Sequence, residues 1–244
     1  MADYWRAITK INEHQKDRFT RRIISCLFNN LSGKRLAVLG FAFKKDTSDT
    51  RESPAITLVS NFVAEQANVA IYDPKVKEEQ IWRELVDYGG VDETLKHNVE
   101  ICSTAYAACE AADAVVIVTE WDEFSNRTLA DEQLVLKEVS PNRLQVPEIS
   151  ANRERPRAIG PATLSKPVLE NMTGGTTLVR SFDVGGVDPT TSSGRLDWAR
   201  VAQGMRKPRY VFDGRNMLDH TKLEALGFRV EVIGKASKRP SPLQ

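Results

Sequence analysis

The sequence predicts an α/β fold. It should form a parallel sheet with helices on both faces, preceded by a long helix and interrupted by a largely irregular insertion. Three observations carry that reading. Short apolar runs of strand type recur at 35–39, 68–72, 99–102, 114–118, 209–212 and 228–233. Helical stretches separate most of them, and such alternation produces parallel strands joined by crossover helices. From about Ser125 to Gly194 the alternation stops, in a segment rich in Pro, Arg, Ser and Thr.

The elements follow in order. Residues 3–31 read as one long helix, with Trp5, Ile8, Ile11, Phe19, Ile23, Leu27 and Leu31 mostly three or four apart and Ile24 and Phe28 widening the stripe. Its middle, Asn12 to Arg18, is polar, and Ser32-Gly33 supplies the stop. A helix this long at the start of the sequence suits a domain connector or a dimer element. After the 35–39 strand, Ser53 reads as an N-cap and Pro54 as the first residue of a helix running to Gln66. Further helices are expected at 77–87, 104–111, 197–205 and 218–226, the last closed by Gly227. The division that results is a helix at 1–31, an α/β domain at 32–124 and 195–234, an irregular or disordered insertion at 125–194, and a loose basic tail at 235–244.

Composition narrows the function classes. With 41% hydrophobic and 27% charged residues and a net charge of +1, the chain reads as globular, with no global pull toward nucleic acid or membrane. No apolar run is long enough to span a bilayer, and the first residues lack a signal-peptide core. Cys26, Cys102 and Cys109 form no Cys-x-x-Cys pair, so the reading is a reduced, cytoplasmic protein without structural metal.

Ligands of open α/β sheets bind at the carboxyl ends of the strands. Four polar groups stand there: Phe43, Lys44, Lys45 and Arg51; Asp73; Thr119, Glu120 and Trp121; Asp213, Gly214 and Arg215. Lys44, Arg51 and Arg215 on one rim would suit a diphosphate. Plainer readings stand beside these. The lysines fit a solvated loop, Arg51-Glu52 a surface ion pair, Asp73-Pro74 a simple turn rather than a ribose ligand, Trp121 edge packing, and Gly214 a tight turn. No Gly-x-Gly-x-x-Gly follows any strand. On these grounds the domain suits a nucleotide-type ligand but is not a self-sufficient dinucleotide site.

Leu39-Gly40-Phe41-Ala42-Phe43-Lys44-Lys45-Asp46-Thr47, Asp49-Thr50-Arg51-Glu52-Ser53, Ile71-Tyr72-Asp73-Pro74-Lys75, Val118-Thr119-Glu120-Trp121-Asp122 and Phe212-Asp213-Gly214-Arg215 closely resemble UDP-glucose 6-dehydrogenase, in that family's order. The resemblance covers about 4–124 and 196–234. It implies a Rossmann-like UDP-binding domain, preceded by part of the family's central, dimer-forming helix. It also implies the family's reaction, oxidation of UDP-glucose to UDP-glucuronate with two NAD. Phe43, Lys44 and Arg215 then correspond to substrate contacts. Arg51 corresponds to the arginine that reaches toward NAD held by another domain. The family's glycine-rich NAD turn and its cysteine nucleophile have no counterpart in these residues. The expectation is therefore a chain that supplies the UDP-sugar part, contains no catalytic residue of its own, and is inactive alone. The 125–194 segment departs from the family and reads as a lineage-specific loop or retained non-coding sequence. Other readings are a non-catalytic UDP-sugar-binding or assembly module, and a fragment of a sister nucleotide-sugar dehydrogenase.

Overall fold

The computed structural model describes residues 2–92, 96–127 and 194–235. The expected insertion at 125–194 and tail at 235–244 lie outside the described residues, apart from 125–127, 194 and 235.

Six parallel strands form one sheet. They are β1 (Arg35–Leu39), β2 (Asn68–Tyr72), β3 (Val99–Ile101), β4 (Ala114–Ile117), β5 (Tyr210–Asp213) and β6 (Arg229–Val232). Their spatial order is β3-β2-β1-β4-β5-β6. All five pairings are parallel, with Leu39 opposite Tyr72 on one side and Ile117 on the other. This is the doubly wound Rossmann order, whose direction reverses between β1 and β4. The central strands explain themselves: Leu36 to Leu39 and all of β4 and β5 are buried, as parallel strands covered on both faces must be.

The helices are α1 (Ala2–Cys26), α2 (Pro54–Ala64), α3 (Glu78–Asp87), α4 (Ala105–Cys109), α5 (Trp198–Gly204) and α6 (His220–Ala225). Helix α2 packs against α1, α3 and β2, while α4 packs against α5 and the β1–β2 strands. Of the caps, Ser53 is the one the sequence suggests. Ser53 Oγ accepts from Ala55 N, while Asp197 and Asp219 cap α5 and α6.

One expectation is corrected. The first helix ends at Cys26, not Leu31. Phe28 and Asn29 take left-handed φ of 67° and 55°, and Phe28 swings out to 72% exposure instead of continuing the apolar stripe. Leu27 and Leu31 still reach the core through the turn. Helix α1 is then strapped to the far edge of the sheet. Arg22 pairs with the nearly buried Glu231 and donates to the carbonyls of Val232 at 3.0 Å and Lys235 at 2.8 Å.

Candidate functional site

The carboxyl ends of β1, β4 and β5 meet at one place, the reversal point of the sheet. A cleft of roughly 640 Å³ opens there, lined by Phe43, Ile117, Val118, Gly214 and Arg215 from the strand ends. Pro54 and Leu58 of α2 and Asn12, Gln15, Lys16 and Phe19 of α1 close it. Gly214 is required for space. A Cβ there would lie 2.6 Å from Ile117 O and 3.3 Å from the Phe19 ring, so the missing side chain lets α1 approach the sheet.

Arg215 joins three strand ends. Its Nε donates to Val118 O at 2.5 Å and lies 3.1 Å from Glu120 Oε2, while Nη2 donates to Phe43 O at 3.1 Å. Its backbone N–H donates to Asp213 Oδ1 at 3.0 Å, and the fully buried Asp213 also accepts from Leu218 N at 3.0 Å. The guanidinium is thus set at the cleft wall beside Phe43, which stays 48% exposed.

The loop from Gly40 to Ser53 is held at several points. Phe43 N bonds Asp49 O at 2.8 Å. Thr50 Oγ1 donates to the buried Glu84 at 2.9 Å and accepts from Gln80 at 2.9 Å. The two adjacent lysines are separated by their partners. Lys45 pairs with Asp122 at 3.0 Å, which raises its pKa, whereas the exposed Lys44 has no ion-pair partner among the described residues. Arg51 does not pair with Glu52. It grips Asp49 in a bidentate fork at 2.9 and 2.7 Å, and that hydrogen bonding holds the Asp49 carboxyl down at about 2. The expected convergence is therefore partial. Phe43 and Arg215 share the cleft, while Lys44 and Arg51 lie on the loop outside its lining.

Asp73 and Trp121 take roles that the sequence did not single out. Asp73 is buried and accepts from the Phe41 and Ala42 amides, from Trp121 Nε1, and from the Lys75 and Val76 amides. It is neither a simple turn residue nor a free ribose ligand. This bears on NAD. In a dinucleotide-binding domain the amides after β1 approach the pyrophosphate, but here Phe41 and Ala42 are already engaged. The turn does not fit that cofactor.

The three cysteines lie in surroundings that disfavour the thiolate. Burial pushes Cys109 up to about 12 and Cys102 up to about 11, and raises Cys26 as well. The thiolate is the reactive form, so the raised values lower the reactivity of these thiols at neutral pH. Iodoacetamide at pH 7.5 is expected to alkylate native Cys102 about a hundredfold more slowly than in the unfolded chain, the gap narrowing as pH rises. Equal native and unfolded rates, read by peptide mass spectrometry, would contradict this.

Comparison with known proteins agrees with the geometry. A model of the UDP-glucose/GDP-mannose dehydrogenase family's UDP-binding domain matches residues 37–141. The UDP-glucose 6-dehydrogenase of Drosophila melanogaster is 36% identical over 246 residues, covering 100% of this chain and 37% of that protein. The chain belongs to the UDP-glucose/GDP-mannose dehydrogenase family. UDP-glucose 6-dehydrogenase 1 of Oryza sativa subsp. japonica is 34% identical over 245 residues, covering 96% of this chain and 37% of that protein. The chain thus spans little more than a third of the length of these relatives. Among solved structures, a UDP-D-ManNAc dehydrogenase from Pyrococcus horikoshii aligns with a TM-score of 0.49 at 20% identity, over 92% of this chain and 32% of that one.

In family terms, the described residues carry the Rossmann-like UDP-binding domain and a helix before it. Sequence reasoning missed the cleft-lining residues Asn12, Gln15 and Lys16. The signal was present, since they fall in the polar break of the α1 stripe. Among the described residues, no cluster of His, Cys, Asp or Glu is suited to a metal, and no helix is long and apolar enough to cross a membrane.

Proposed function

We propose that this chain supplies the UDP-sugar-binding part of a UDP-glucose 6-dehydrogenase. The observation that carries the reading is the cleft at the sheet's reversal point, where Phe43, Gly214 and Arg215 meet. Phe43 packs on the sugar-nucleotide. Arg215, fixed by Val118, Phe43 and Glu120, offers its remaining N–H groups to a diphosphate oxygen. Lys44, exposed and without an ion-pair partner among the described residues, can turn its side chain toward the same diphosphate. NAD, held by a domain of the kind the family carries elsewhere, would supply the hydride acceptor. Arg51 extends toward that cofactor from the loop and gives up Asp49 to do so. The cysteine nucleophile also comes from outside these residues, in a longer chain or a partner subunit. Helix α1, with Ile11 58% exposed, pairs two copies.

Thermal melting of the purified chain tests this reading. UDP at a hundred times its Kd is expected to stabilise by about 2.7 kcal/mol, raising Tm by about 5–10 °C. NAD is expected to shift Tm far less. A larger shift with NAD than with UDP would overturn the assignment, as would NADH formed from UDP-glucose and NAD by this chain alone.

A further inference from the structure

The carboxylate of Asp73 lies where the first turn of a dinucleotide-binding domain would offer its amides to a phosphate. Its Oδ2 accepts from Phe41 N at 2.7 Å, Ala42 N at 2.9 Å and Trp121 Nε1 at 3.1 Å. Its Oδ1 accepts from Lys75 N at 2.9 Å and Val76 N at 3.0 Å. A local turn needs only the Oδ1 bonds. The Oδ2 bonds reach 32, 31 and 48 residues away and join three strand ends. These five N–H groups replace water around a charge that is only 9% exposed.

The next two carbonyls along the chain are held as well. Thr119 Oγ1, fully buried, donates to Ala42 O at 2.6 Å, and Arg215 Nη2 donates to Phe43 O at 3.1 Å. Residues 41–43 are therefore fixed at both edges of the chain, immediately before Lys44.

We propose that Asp73, with Thr119 opposing it, is the positioning residue of the substrate loop. It is an internal anion that closes this turn to a dinucleotide pyrophosphate and sets Phe43 and Lys44 for a nucleoside diphosphate. The ligand half of the inference rests on the UDP-sugar reading, and the loop half on the hydrogen bonds alone.

Asp73→Asn in the full chain tests it. The amide that replaces one oxygen donates rather than accepts, against a ring of donors. Hydrogen exchange at Phe41, Ala42 and Phe43 is expected to accelerate at least tenfold more than at Val38 and Val116 in the neighbouring strands. The Kd for UDP, by calorimetry, is expected to rise about tenfold. In a Lys44→Ala background the same change should raise it less than threefold, because both act through one loop. A merely structural Asp73 would speed the strand amides equally and add its full effect to Lys44→Ala. Either result overturns the proposal. If the natural chain binds no UDP, the UDP-sugar reading fails, while unchanged exchange at Phe41 to Phe43 would separately overturn the loop claim. If Asp73→Asn does not fold, Thr119→Val removes only the donor to Ala42 and carries the same two readouts. Natural exchange and natural affinity in that variant would overturn the proposal.

Discussion

Gly40→Ala is expected to lose about 3–5 kcal/mol of stability, the largest effect of any single substitution considered for this chain. Two causes combine. The residue sits at φ +92°, where a side chain is strained. Its Cβ would also fall 2.4 Å from Thr119 Cβ and 2.7 Å from Thr119 N. Thr119 has no room to retreat, since it is fully buried and bonded to Ala42 O. A loss of that size lowers Tm by about 10 °C in a chain of this length. Gly33→Ala is the control, because it too has a positive φ but nothing within 4 Å of a new Cβ. It should lose only about 1 kcal/mol. Equal melting of the two variants would show that the contact with Thr119 is not the deciding term.

Arg215→Ala is expected to have the largest effect on ligand binding. A charge-assisted hydrogen bond contributes about 1.5–3 kcal/mol, so the Kd for UDP should rise by about one to two orders of magnitude. The variant also leaves Glu120, whose Oε2 is buried, without its cation. A modest fall in Tm accompanies the loss. Arg215→Lys should restore the charge but little of the affinity. Val118 O and Phe43 O are reached by two separate nitrogens, Nε and Nη2, and the single nitrogen of a lysine cannot occupy both places and still face the ligand with a planar fork. Calorimetric titration with UDP separates these outcomes, and an Arg215→Ala chain binding within threefold of the natural one would remove Arg215 from the site.

The strands and most helices were legible because their signals are local. β1 and β4 are short apolar runs, α2 announces itself through Ser53 and Pro54, and α6 is followed by Gly227. The end of α1 was not, since Leu27 and Leu31 keep helical spacing while the backbone between them has already turned at Phe28. The structure sets the motif residues Phe43 and Arg215 side by side at one cleft. What the sequence left open was which charges are already paired. Lys44 and Lys45 are neighbours of the same type, and only the Asp122 carboxylate, 77 residues from Lys45, tells them apart. Arg51 found Asp49, two residues before it, rather than the adjacent Glu52. Asp73 was hardest to read. Its function depends on amides and an indole from two other strand ends, and no local pattern encodes such a meeting.

The strap between Arg22 and the end of β6 fixes how the cleft can change shape. Asn12 and Lys16 lie one to three turns along α1 from Arg22, about 15 Å at most by helical rise. They belong to the same rigid rod that Arg22 bolts to Glu231, Val232 and Lys235. Phe19, seated against Gly214, acts as the fulcrum between them. Tilting the rod outward would break a nearly buried ion pair, so the α1 wall is fixed; with the backbone of residues 41–43 also held, what can still adjust to a ligand is the exposed side chain of Phe43 on the opposite wall.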